Sequence, residues 1–82
     1  MLYDDAGHAL TKKAVLLYGT QLALARAAKM AQASVSLALK TGYMTPKFLR
    51  RLATALKRKK AGVALARQLE SHAARLDTAR HQ

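Results

Sequence analysis

The segment TQLALARAAKMAQASVSLALKTG, residues 20–42, decides the fold because it admits two incompatible readings. In one, residues 21–28 and 32–40 are short helices crossing steeply at a turn around Lys29 and Met30. Such a crossing needs small or apolar residues where the helices touch, and Leu24, Ala25, Ala28, Met30, Val35 and Ala38 fall there. Ala25 matters most, since a larger side chain would hold the two axes apart. In the other, residues 21–40 form one straight helix of good helix formers with Leu24, Ala28, Ala31, Val35 and Ala38 as its stripe. Met30 favours the bend, because at about 100° per residue it would point well away from that stripe. The bent form is therefore expected, with Met30 plugging the core.

Working outward, residues 41–44 read as a loop, and Thr45-Pro46 opens the next helix. Threonine can accept from the free amides of a first turn, while proline there lacks a donor that would go unused. Phe48, Leu49, Leu52, Ala53 and Leu56 share one face of that helix and close the core. Upstream, Ala14, Val15, Leu17 and Tyr18 make a helical stripe, Gly19 ends it, and Thr20 caps the helix after it. The first helix starts between Asp5 and Thr11, with Asp5 a candidate cap if residues 1–10 are not simply loose.

Beyond residue 60, Val63, Leu65, Ala66, Leu69, Ala73 and Leu76 form a further stripe. A terminal amphipathic helix must bury such a stripe in its own core or against a second copy. The second copy is the expectation, with Glu70 paired to Arg67 or Arg75 across the interface. The sequence thus predicts an all-α chain of about five helices: an N-terminal segment, 1–10, a central domain, 11–56, and a basic hinge with a dimerisation helix, 57–82.

At 82 residues the core is marginal, and with no cysteine neither disulfides nor thiolate metal sites can reinforce it, which leaves oligomerisation. A formal charge of +11 implies an anionic partner, nucleic acid first. The run Lys57-Arg58-Lys59-Lys60 reads as a solvated helix end or hinge, as a phosphate clamp, or as a nuclear address. No apolar run approaches the roughly 20 residues that span a bilayer, and Asp4 and Asp5 do not suit a secretory signal, so a cytoplasmic protein is expected. His8, His72 and His81 lack metal-ligand spacing, the four acids offer no acid and base pair, and no glycine-rich phosphate loop occurs. No enzyme activity, cofactor or metal is expected.

Gln21, the Leu24-Ala25 pair, Gln32, Val35-Ser36 and Gly42 together resemble the lambda-repressor-like helix-turn-helix regulators of phages, plasmids and bacterial operons, over residues 11–56. That resemblance implies a second helix lying in a DNA major groove, Gln21 on a phosphate, and Gln32, Ala33 and Ser36 at base edges. Two positions depart from it. Lys29 stands where the turn usually has glycine, and a non-glycine residue at positive φ costs about 1 kcal/mol. Ala31 stands where Ser or Thr caps the second helix, forgoing about 1 kcal/mol.

Chemistry extends the assignment. Gln32 can pair bidentately with adenine, and Ala33 or Leu37 can pack on thymine methyls. Ser34 offers a hydroxyl to the nucleic acid or bonds back to its own helix. Lys40, Thr41, Tyr43 and Lys47 are candidates for phosphate contact, although Tyr43 reads equally as a half-buried core aromatic and Lys40 as a cation suited to a helix C-terminus. The expected function is a homodimeric repressor of an inverted-repeat operator on double-stranded DNA, or the variant of an antitoxin that also binds a toxin. The alternative is a cationic RNA- or membrane-surface binder without base readout. Membrane anchoring wants Trp or Phe, and stacking on RNA wants exposed aromatics, yet the chain has no Trp, one Phe and three Tyr.

Overall fold

Residues 21–41 are two helices, not one. The computed structural model describes residues 4–80, and among them the chain is all-α. It runs α1 Asp5–Tyr18, α2 Gln21–Ala27, α3 Gln32–Thr41, α4 Pro46–Lys57, a single 3-10 turn Lys60–Gly62, and α5 Val63–Arg80.

The end of α2 explains the break. The Met30 amide donates to the Ala25 carbonyl (2.9 Å) and the Lys29 amide to Arg26 (3.2 Å), the paired closure of a Schellman motif. That closure needs a left-handed residue, and Lys29 supplies it at φ 56°, the one positive φ outside glycine among the described residues. Met30 then turns back onto the core, half-buried. Ala31 starts α3 in extended conformation with no side-chain cap. Leu24, Ala25, Ala28, Val35 and Ala38 are buried between the two helices and the rest of the core.

The starts of α1, α2 and α4 each have a side-chain cap. Thr20 accepts from the Ala23 amide (3.0 Å), and Thr45 accepts from Phe48 (3.2 Å) ahead of Pro46 in the first turn. At α1 the cap is Asp4, not Asp5: its Oδ1 accepts from the Gly7 amide at 2.9 Å, and Asp5 stays exposed in the first turn. From Asp5 onward the N-terminal segment is therefore helix, with Gly7 and Thr11 buried. Asp4 does a second job, since both its carboxylate oxygens lie 2.8 Å from Nε2 of His72 on α5.

The expected dimerisation stripe goes elsewhere. Leu65, Ala66, Leu69 and Ala73 are buried in the chain's own core, Leu76 is half-buried against it, and Val63 is 38% exposed. The reason lies in the turn before α5. A Cβ at Gly62 would meet the Leu56 carbonyl oxygen at 2.5 Å, so glycine lets the backbone fold tightly back on α4. Glu70 pairs with Lys57 (2.7 Å), not with Arg67 or Arg75, and Asp77 pairs with Arg50. Each member of these pairs is seven residues from its counterpart on the same helix, which sets an antiparallel register. Exposed pairs of this kind contribute about 0–1 kcal/mol each, whereas burying a leucine contributes about 1.5–3, so the apolar stripe holds α5 and the ion pairs set its register. Residues on either side of the expected boundary at 56/57 accordingly share one core.

Candidate nucleic-acid interface

With Val35 and Ala38 turned inward, α3 presents Gln32, Ala33, Ser34, Ser36, Leu37 and Lys40 to solvent. The face carries one amide, two hydroxyls and one cation around two apolar contacts, with Leu37 60% exposed. Gln21 sits half-buried at the first position of α2. The Ser34 hydroxyl makes no bond back to its own helix, and the residue shares a cleft with Met30, Thr45, Lys47, Phe48 and Arg51. The fold thus brings Ser34 and Lys47 together from different helices. Lys40, in the last turn of α3, also suits the negative end of the helix dipole.

Thr41 departs from expectation. Its hydroxyl donates to the Leu37 carbonyl (2.8 Å) and accepts from the Tyr43 amide (3.3 Å), so it braces the end of α3 and is not a free phosphate ligand. Tyr43 is 45% exposed beside it, not a core aromatic. Tyr18 is committed too, since its hydroxyl donates to the Ala55 carbonyl (2.6 Å) and its ring lies under the Lys59 ammonium at 4.4 Å. Within the basic run, Lys57 is paired with Glu70 and Lys59 rests on that ring. Lys57, Arg58 and Lys60 are exposed where α4 ends, so the run is a solvated helix end leading into a tight turn, with only Lys59 half-buried.

Two basic residues, Lys29 and Arg51, are not among the interface candidates expected from the sequence, whereas Arg58 belongs to the basic run read there as a phosphate clamp. Lys29, Arg51 and Arg58 line one cleft with Ala27, Ala28 and Thr54, and Arg51 Nη1 donates to the Lys29 carbonyl at 3.5 Å. The signal was available: residues 47, 51, 54 and 58 repeat at helical spacing, which places them on one face of α4. Between Asp5 and Glu70 the sequence has no acidic residue, so nothing on α2, α3 or the loop after it offsets this positive field.

Among the described residues no group of His, Asp and Glu is placed to hold a metal ion, and no helix is long and apolar enough to cross a membrane. No family model, curated protein or solved structure matches the chain.

Proposed function

We propose that the protein is a sequence-specific double-stranded DNA-binding repressor, with α3 lying in the major groove. The observation that carries this reading is the exposed face of α3, freed by the bend at Lys29, polar enough to address base edges and flanked by Lys40 and Lys47 in an acid-free region. An α-helix fits the major groove, where amide and hydroxyl side chains discriminate bases and neighbouring cations neutralise phosphates. Gln32 and Ser36 address bases, Ala33 and Leu37 meet thymine methyls, and Gln21, Ser34, Lys40 and Lys47 hold the backbone.

Repression is by occlusion in the cytoplasm, where a bound module covers the polymerase site. Two modules on an inverted repeat bind more tightly than one, and they would pair through a surface other than the buried stripe of α5.

Selection of bound sites from random duplexes tests the whole reading; a recurrent motif supports it, and equal affinity for every duplex and for RNA refutes it. Gln32→Ala should then reduce binding to the selected site about 5- to 100-fold while leaving nonspecific binding nearly unchanged, as titrations of both duplexes would show. Equal losses on both would make Gln32 a phosphate contact.

A further inference from the structure

Arg51 and Arg58 sit one face away from Arg50 and Lys57, on the same helix, with a different fate. Arg50 and Lys57 are neutralised by the acids of α5. Among the described residues Arg51 and Arg58 have no carboxylate within reach, and with Lys29 they converge on the cleft beside the α2–α3 turn. Three cations sharing one cleft repel each other unless an anion occupies it. The cleft also borders the one containing Ser34 and Lys47, because Arg51 lines both. A continuous basic track therefore leads from the first turns of α3 along α4.

We propose that the cleft of Lys29, Arg51 and Arg58 is a phosphate-binding site that holds a backbone phosphodiester of the DNA contacted by α3. The inference rests on the reading of α3 as the groove-binding helix, and it adds a site beyond the groove itself. Arginine suits the task because its planar fork presents parallel donors to two phosphate oxygens. Thr54 is no rival ligand, since its hydroxyl donates to the Arg50 carbonyl (3.0 Å). Arg51 has a second role, bonding the carbonyl of Lys29, so the phosphate site and the strained turn share a residue.

The test measures binding of the full chain to a labelled duplex as a function of salt, using Arg51→Gln with Arg58→Gln and, as control, Arg67→Gln with Arg75→Gln. The control removes the same charge from the groove between α1 and α5. Each lost phosphate contact should lower the slope of log affinity against log salt by about 0.9, so the first pair should lower it by about 2 and the control by far less. Arg51→Lys should keep the slope while Arg51→Gln lowers it by about 0.9, which separates charge from support of the turn; thermal melts confirm that each variant is folded. Equal losses in both pairs, or an unchanged slope in the first, would overturn the site while leaving the reading of α3 intact. A wild-type protein that binds no duplex would overturn both.

Discussion

The two turns that bound α3 solve the same problem with unequal means. The leaving turn has Gly42 at φ 75°, its amide on the Ala38 carbonyl, and a loop that runs to the Thr45 cap and Pro46. The entering turn has Lys29 at φ 56° and Ala31 with no side chain to cap the helix. Both turns are closed by backbone hydrogen bonds and braced by tertiary contacts, Met30 on the core at one and the Asp4 amide on the Gly42 carbonyl at the other; they differ in that glycine fills the left-handed position of one and lysine that of the other. At the entering turn a charged side chain thus lines a basic cleft at a position where backbone preference favours glycine.

That contrast can be broken by substitution. Gly42→Ala should destabilise the fold by about 1–2 kcal/mol, because alanine resists the left-handed region that glycine enters freely. Lys29→Gly should act in the opposite direction, stabilising by up to about 1 kcal/mol, while weakening DNA binding through the lost cation. Ala31→Ser should add about 0.5–1 kcal/mol by giving the first turn of α3 an acceptor. Urea titration measures all three. If Lys29→Gly destabilises, or Gly42→Ala is neutral, the two turns do not differ as described.

What could be read in the sequence was whatever nearby residues settle. Thr20, Gly42, Thr45 and Pro46 place helix ends within a few positions, and Met30 already spoke for the bend. The outward face of α3 was legible because Val35 and Ala38 had to turn inward. The destination of α5 was not, because its stripe is equally apolar whether it meets a second copy or α4. The deciding facts were Gly62, which permits the tight return, and the matching seven-residue spacing of Arg50 and Lys57 with Glu70 and Asp77. Both lie in the sequence, but their meaning depends on two distant segments being considered together. Asp4 was missed similarly: either Asp4 or Asp5 could cap α1, and only the nearness of His72 distinguishes them.

The contact between Asp4 and His72 joins positions 68 residues apart in the chain. Closing so long a loop forfeits more chain entropy than forming either the α2–α3 or the α4–α5 neighbour pair. If the clasp forms after those neighbour pairs, it is also among the first contacts to open. Amide hydrogens in the first turn of α1 should exchange with solvent deuterium faster than those at the centre of α4, and Asp4→Ala should widen the gap. A uniform rate along the whole chain would mean that the molecule opens only as a single unit.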